Sequence, residues 1–204
     1  MFGLPSTVCV HQPLHKNAFY QRLTLSAPVK DEFVGGIESL CVVAAIKESA
    51  CDIPAADGIE EISVLRVDLK TSEVPERALA AIAQVVPRKL LMVCCRDGMA
   101  QLAVVRGRLR VGVRRIAEDE LTIALAGGTL AEVWESLCAQ ALFCDASVAD
   151  VDARLAQEKR IAELEAEVVR LKRKYAKEVQ PSKRNAAFKA YKQAKAELSV
   201  LKGE

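Results

Sequence analysis

The sequence has little that would take the chain into or across a membrane. No apolar run in its 204 residues approaches the roughly 20 residues needed to span a bilayer. Residues 1–5 carry neither the basic start nor the long apolar stretch of a secretory signal. Aromatic residues make up only 4%, so a core drawn from the 51% hydrophobic residues must be mostly aliphatic. We expect a cytoplasmic protein with no membrane partner.

Motifs that identify common enzymes and metal sites are also missing. The sequence contains no GxSxG, HExxH, GxGxxG or Walker A motif. Its seven cysteines form no CxxC pair, a spacing typical of structural zinc sites. His11 and His15 are the only histidines, and Pro13 breaks the helical spacing that a metal-binding pair would need. We predict no metal or cofactor, and reduced, buried cysteines that pack as small apolar side chains.

Positive charge is concentrated towards the C-terminal end. The net charge of +2 combines +6 over residues 151–204, with 14 Lys and Arg against 8 Asp and Glu, and −4 over residues 1–150. This asymmetry predicts an acidic-to-neutral body followed by a basic arm. We place the boundary after residue 146, so that residues 1–146 form a globular domain and residues 147–204 a basic helical hairpin.

Helix and strand signals within the first domain predict an α+β fold. The first 25 residues are predicted to be extended, and Ser26 to cap a helix whose apolar face reaches Ala44. Asp97-Gly98 indicates a tight hairpin turn between two strands. We therefore expect helices packed on a mainly antiparallel sheet. The strands are predicted at 62–70, 89–95, 99–105, 109–116 and 121–126, and further helices at 76–86 and 129–142.

Two apolar seams with alternating three- and four-residue spacing follow in the C-terminal segment. One runs from Ile161 to Tyr175 and the other from Ala187 to Leu201, with a break at Pro181. This pattern is typical of a coiled coil folded into an antiparallel helical hairpin. Because two to three heptads are marginal alone, we expect the hairpin to dock on the body, a second copy or a partner.

A run of basic residues is the most specific feature of the hairpin. Ten basic residues stand between Arg170 and Lys195, opposed only by Glu178. Such a stripe favours binding to nucleic-acid phosphates, with a protein interface or a solvated helix face as the alternatives. The candidate nucleic-acid-binding residues are Arg170, Lys172, Arg173, Lys174, Lys177, Lys183, Arg184, Lys189 and Lys192, with Lys195 completing the run.

An acidic cluster around the first long strand of the body suggests an enzymatic alternative. Asp68-Leu69-Lys70 has the acid-x-Lys arrangement with which restriction-type nucleases hold Mg²⁺ and activate water. Asp57 would then be the upstream acid. The alternative interpretation is that Asp68 pairs with Arg66 or Lys70 and has no catalytic role.

Several short motifs follow one another in a consistent order along the chain. They are Leu4-Pro5-Ser6-Thr7, Lys16 with Phe19-Tyr20, Lys30-Asp31-Glu32-Phe33-Val34 with Ile37, Glu60-Glu61-Ile62, and Lys177-Glu178-Val179-Gln180. This order resembles that of the bacterial and archaeal domain-of-unknown-function family 4391. The resemblance implies a small accessory protein of the kind encoded beside DNA helicases and methyltransferases in phage-defence loci.

These observations favour a non-enzymatic interaction protein. The body would dock on a larger partner such as a helicase or methyltransferase, and the hairpin would contact DNA, RNA or that partner. Two alternatives stay open. One is a Mg²⁺-dependent nuclease that uses Asp57, Asp68 and Lys70, and the other is a purely structural homodimer formed through the coiled-coil seams.

Overall fold

Contacts between residues divide the chain into two units. In this computed structural model, which describes residues 1–22, 25–146 and 150–203, the units are residues 1–149, the body, and residues 150–204, the hairpin. The boundary expected after residue 146 falls beside residues 147–149, which lie outside the described residues. No helix in the described part of the chain is long and apolar enough to cross a membrane.

The body contains six strands and five helices among its described residues. The strands are β1 (Cys9–Pro13), β2 (Ile37–Lys47), β3 (Glu61–Leu69), β4 (Lys89–Arg96), β5 (Met99–Arg106) and β6 (Arg108–Ala117). The helices are α1 (Lys16–Arg22), α2 (Ala27–Gly36), α3 (Glu48–Cys51), α4 (Glu76–Val85) and α5 (Leu130–Phe143).

The six strands form one sheet in the order of the sequence, β1 to β6. All neighbouring pairs are antiparallel except β3 and β4, which run parallel. A parallel pair needs a long connection that returns the chain to the same end of the sheet, and α4 lies in that connection. The predicted mainly antiparallel α+β fold is confirmed.

Helices cover both faces of the sheet. On one face Leu65 and Val67 belong to a buried cluster with residues of α1, α2 and α4. Along each strand, alternate residues point to the opposite face of the sheet, where Val64 and Leu91 are fully buried. On that face α5 contacts β3 to β6. Because both faces are covered, the central strands form nearly continuous apolar runs in the sequence.

The expected helix that begins near Ser26 ends earlier than predicted. It begins at Ala27 as expected, but the Ser26 side chain makes no capping hydrogen bond and the helix stops at Gly36. Residues Ile37–Lys47 form β2 instead, so the prediction of a helical face reaching Ala44 was wrong. The apolar residues at helical spacing in this segment belong to a strand buried on both faces, for which periodicity does not separate helix from strand.

Two further segments differ from the prediction. The first 25 residues contain α1 as well as the short strand β1. Residues 121–126 do not form a strand. There Ile123 N–H donates to the Phe2 carbonyl at 2.9 Å, and the Gln140 side chain bonds both the N–H and the carbonyl of Ala124. These partners satisfy the backbone without a neighbouring strand.

Local signals in the second half of the body are confirmed. Asp97 and Gly98 both have positive φ, at 50° and 74°, as a type I′ hairpin turn between β4 and β5 requires. Thr129 caps α5, and its Oγ1 accepts the Glu132 N–H at 3.2 Å.

The hairpin consists of α6 (Val151–Lys177) and α7 (Pro181–Lys202), which pack against each other. The two helices are antiparallel, since Gln157 Nε2 donates to the Leu201 carbonyl and Tyr175 contacts Phe188. Every residue of the predicted seams is buried or half-buried. Their most buried members are Leu164, Leu171, Ala187 and Ala194.

Candidate nucleic-acid interface

Ten basic residues of the hairpin lie on the last turns of α6 and the first two-thirds of α7, on both sides of the turn that joins the helices. The turn at residues 178–180 connects α6 to α7, and the basic side chains stand on both sides of it. All ten are exposed. We call them the basic end: Arg170, Lys172, Arg173, Lys174, Lys177, Lys183, Arg184, Lys189, Lys192 and Lys195.

Side chains of the basic end have almost no carboxylate partners. Among the described residues only Arg170 has one, Glu167, at 3.3 Å. Arg184 lies 5.1 Å from the ring centre of Tyr175, and Lys192 lies 5.2 Å from that of Phe188. These are favourable contacts that leave the positive charge unneutralised.

At the opposite end of the hairpin, basic side chains are paired with acids. Arg160 is bonded to Glu197, with Nε 3.1 Å from Oε1, and Lys202 Nζ lies 2.7 Å from Glu165 Oε1. Lys159 lies 3.8 Å from Glu163. Basic residues are therefore paired with acids at the open end of the hairpin, whereas nine of the ten at the basic end have no carboxylate partner among the described residues. Solubility alone does not require this contrast.

Helical spacing aligns the basic residues into stripes. Arg170, Arg173, Lys174 and Lys177 recur at intervals of three and four residues, so they share one face of α6. That face differs from the seam, which α7 covers. On α7, Arg184, Lys192 and Lys195 also share a face. A stripe of closely spaced cations can neutralise several phosphates along one nucleic-acid backbone.

The residues of the nuclease alternative are not brought together. Asp57 lies in the turn before β3, whereas Asp68 and Lys70 lie at the far end of that strand. A strand rises about 3.3 Å per residue, so β3 separates the two ends by roughly 23 Å between Glu61 and Asp68. No group of three or more His, Cys, Asp or Glu suited to a metal ion occurs among the described residues.

Asp68 and Lys70 already have partners within the body. Arg66 Nε donates to Asp68 Oδ1 at 2.7 Å, Ser39 Oγ donates to Asp68 Oδ2, and Lys70 Nζ donates to the Val34 carbonyl at 2.7 Å. Arg66 also forms a two-pronged ion pair with Glu118, and the hydrogen bond to Glu118 raises the pKa of Arg66 further. Arg66, Asp68 and Glu118 line a polar cleft of about 370 Å³ together with Ser39. The arrangement is an ion-pair network with Arg66 at its centre, in which Asp68 has no oxygen free of a partner.

A second cavity of the body is mostly apolar. It has a volume of about 630 Å³ and lies between the strands β1 to β4 and the helices α1 and α4. Its polar end carries Lys47 and the Arg88–Glu61 ion pair, whose Nη1 and Oε1 atoms are 2.6 Å apart. None of the residues singled out from the sequence as a site lines this cavity. Its size is in the range of small-molecule pockets.

Histidine and cysteine side chains form no reactive cluster in the described residues. His11 Nδ1 lies 3.5 Å from Cys41 Sγ as an isolated pair. Burial raises the pKa of the Cys94, Cys95 and Cys138 thiols to about 12, so they are protonated at neutral pH. All seven thiols are free, and Cys41, Cys94, Cys95 and Cys138 are buried as predicted, whereas Cys9 and Cys51 are only half-buried and Cys144 is exposed.

Comparison with known proteins agrees with the motifs found in the sequence. The family model described as Domain of unknown function (DUF4391) matches residues 2–198. The chain belongs to the DUF4391 family. The DUF4391 match extends over both the body and the hairpin. No curated protein and no solved structure matches the chain.

The Arg66–Asp68 pair was one of the alternatives drawn from the sequence and is present in the structure, but sequence reasoning missed the part that Glu118 plays in the Arg66 network. Arg66 and Glu118 are 52 positions apart and meet only because β3 and the end of β6 lie near the same end of the sheet. Glu118 comes two residues after the end of a predicted strand, which is the one local signal it offers. Nothing in the sequence relates that position to Arg66.

Proposed function

We propose that this DUF4391 protein is a non-enzymatic accessory protein whose hairpin binds the phosphate backbone of DNA or RNA through its basic end. The observation that carries the proposal is the concentration of ten exposed basic side chains, with a single carboxylate partner among the described residues. Phosphate contacts from such residues release counterions and bind without reading base sequence.

The direct test is fluorescence anisotropy with labelled single-stranded and duplex DNA and RNA, titrated with salt. Arg173→Gln/Lys174→Gln/Lys177→Gln removes three charges from one stripe of the basic end. If all three contact duplex phosphates, the slope of log affinity against log salt falls by about 2.7, because each contact contributes about 0.9.

Lys159→Gln/Arg160→Gln/Lys202→Gln is the matched control. It changes the net charge equally in the same unit, but at the end where these residues pair with acids. We expect this control to bind nearly as tightly as the unmodified protein. Equal binding by both variants and the unmodified protein would overturn the proposed role of the basic end.

A larger protein partner is the second part of the proposal. The family resemblance supports a helicase or methyltransferase, and the body supplies the remaining surface for docking. The check is co-purification of the two proteins after co-expression with a neighbouring helicase or methyltransferase gene. Retention of the complex by the basic-end variant would assign the docking to other residues.

The two alternatives have less support. The nuclease would need Asp57 and Asp68 at one metal ion, whereas β3 separates them. Its test is divalent-dependent cleavage that Asp68→Asn abolishes. In the homodimer the coiled-coil seams would join two chains, whereas the seams of α6 and α7 pack together within one chain. Its test is a mass that rises with protein concentration.

A further inference from the structure

The arginines of the body differ in whether their side chains have an ion-pair or hydrogen-bond partner. Among those whose side chains the structure describes, six make an ion pair or hydrogen bond, five of them with a carboxylate. Three make none with any described residue, and all three lie on β6: Arg108, Arg110 and Arg114. The six with partners are Arg66, Arg77, Arg88, Arg96, Arg106 and Arg115.

Arg110 carries the most specific signal of the three. Its Nε atom is buried and has no hydrogen-bond partner among the described residues. A buried donor without an acceptor is destabilising, because nearly all buried polar groups in folded proteins are hydrogen-bonded to protein, water or a bound ion. An anion held against the guanidinium would supply the acceptor.

The three side chains lie on one side of the sheet. Arg108 and Arg110 are two residues apart on β6, so they face the same way. Gly112 continues this alternation and faces α5, where it approaches the Ala141 carbonyl. Arg114 lines a cavity with Gln140 and Ala141 of the same helix. The cations therefore follow one another along the α5 side of β6.

β6 is an edge strand whose outer side has no neighbouring strand in the described part of the body. Its register with β5 is irregular, since three residues of β6 stand between the pairs Ala103↔Val111 and Gln101↔Arg115, against one residue of β5. Such a bulge interrupts the regular hydrogen-bonding edge that an added peptide strand would need. The edge is accessible, but it is better suited to ligands held by side chains than to strand addition.

We propose that Arg108, Arg110 and Arg114 form a second site for nucleic-acid phosphates, on the body. This inference rests on the proposed function of the basic end. Guanidinium groups bind phosphate oxygens in a two-pronged geometry, which makes arginine the residue best suited to such contacts. Residues 1–150 carry a net charge of −4, and within them Arg108, Arg110 and Arg114 form a local group of cations with no carboxylate partner among the described residues, to which a polyanion is attracted.

The test compares two triple variants of the full-length protein. Arg108→Gln/Arg110→Gln/Arg114→Gln removes the β6 cations, and Arg77→Gln/Arg88→Gln/Arg96→Gln removes three body arginines that pair with carboxylates. Both lower the net charge equally. We expect the β6 variant to bind labelled nucleic acid at least tenfold more weakly, with a salt slope on duplex smaller by about 2.7. The control should change affinity by less than threefold.

A double variant tests whether weaker binding by the triple variant is caused by loss of folding. Arg108 and Arg114 are exposed, so Arg108→Gln/Arg114→Gln should keep the urea midpoint while showing about two-thirds of the fall in salt slope expected for the triple variant. The variant Arg108→Lys/Arg110→Lys/Arg114→Lys keeps the positive charges but cannot bind phosphate in the two-pronged geometry. We expect it to keep the salt slope and to bind severalfold more weakly.

The results separate failure of this site from failure of the proposed function. If the β6 variants bind as the control does while the basic-end variant is weakened, the β6 proposal is wrong and the hairpin proposal stands. If only the β6 variants are weakened, the body alone is the nucleic-acid element. Binding of a labelled polyglutamate peptide that the β6 variant loses, with nucleic-acid binding unchanged, would make the site an acidic-peptide site and overturn the proposal.

Discussion

Gly112 of β6 and Ala141 of α5 approach so closely that no side chain fits between them. A Cβ on Gly112 would lie closer than 3.0 Å to the Ala141 carbonyl oxygen, a separation that Cβ atoms essentially never show. The atom in its way belongs to a helix backbone and cannot rotate aside. Gly112 therefore allows α5 to pack directly on the edge strand that carries the unpaired arginines.

Gly112→Ala should consequently destabilise the body by about 1–3 kcal/mol, the usual cost of overpacking a filled site. Urea unfolding followed by Trp134 fluorescence measures the change, since Trp134 lies in α5. Gly35→Ala is the control, because a Cβ on Gly35 would meet nothing within 4 Å. The control should be neutral or stabilising by up to about 1 kcal/mol. Equal midpoints for the two variants would contradict this account.

The parts of the fold that local chemistry determines could be predicted from the sequence. The Asp97-Gly98 turn requires positive φ at both positions, and few residue pairs supply it. The seams of α6 and α7 repeat over enough turns for their spacing to identify helices. By contrast, Ile37–Lys47 is a strand buried on both faces, and its apolar residues also satisfy helical spacing.

The candidate sites divide in the same way. The basic end could be predicted because its residues are close in sequence and exposed on helices. The special character of Arg108, Arg110 and Arg114 could not, because it depends on which arginines of the body find carboxylates. Arg66 meets Glu118 across 52 positions, and Arg106 meets Glu135 across 29. Only the tertiary fold decides such pairings.

Arg66 provides the next prediction. Arg66→Met leaves Asp68 and Glu118, which lie in the same cleft, without their shared cation. We expect a loss of about 1.5–3 kcal/mol, the range for hydrogen bonds to charged groups in partly buried positions. Arg77→Met is the control, because Arg77 is 67% exposed and lies 3.6 Å from Glu32. An exposed pair of this kind contributes about 0–1 kcal/mol. If urea unfolding shows that both variants lose the same free energy of unfolding, the Arg66 network contributes no more than an exposed ion pair.

The cysteines predict a difference in reactivity within one chain. Thiolates are the reactive form, and burial raises the pKa of Cys94, Cys95 and Cys138 to about 12. Mass-spectrometric mapping after brief treatment with iodoacetamide at pH 8 should find Cys144 modified and these three protected until urea is added. Modification of Cys138 in the folded protein at the rate of Cys144 would contradict the burial.

Because these thiol pKa values are raised, we also expect the free energy of unfolding to fall in alkaline solution. Above the ordinary thiol pKa of 9.0 the unfolded chain loses protons that the folded chain keeps up to about pH 12. The unfolded state then binds fewer protons, so the free energy of unfolding falls as pH rises through this window. Cys138→Ala removes one such group and should make the decline between pH 9 and pH 11 less steep. An unchanged slope in urea midpoints across that window would mean that Cys138 is accessible to solvent.

Packing of the seam between α6 and α7 should maintain the helical arrangement of the basic end. Leu164 of α6 is 1% exposed, and truncating a buried leucine to alanine generally costs about 2–5 kcal/mol. A helical pair of this size has little stability to spare, so Leu164→Ala should lower the helical circular-dichroism signal at 222 nm and shift its thermal loss to lower temperature. Val169→Ala, at a position 49% exposed on the same helix, should leave both unchanged.

If the basic end acts as an ordered stripe, Leu164→Ala should also weaken nucleic-acid binding without removing any charge. Full binding by a Leu164→Ala protein with reduced helicity would mean that charge alone, and not its helical arrangement, holds the nucleic acid.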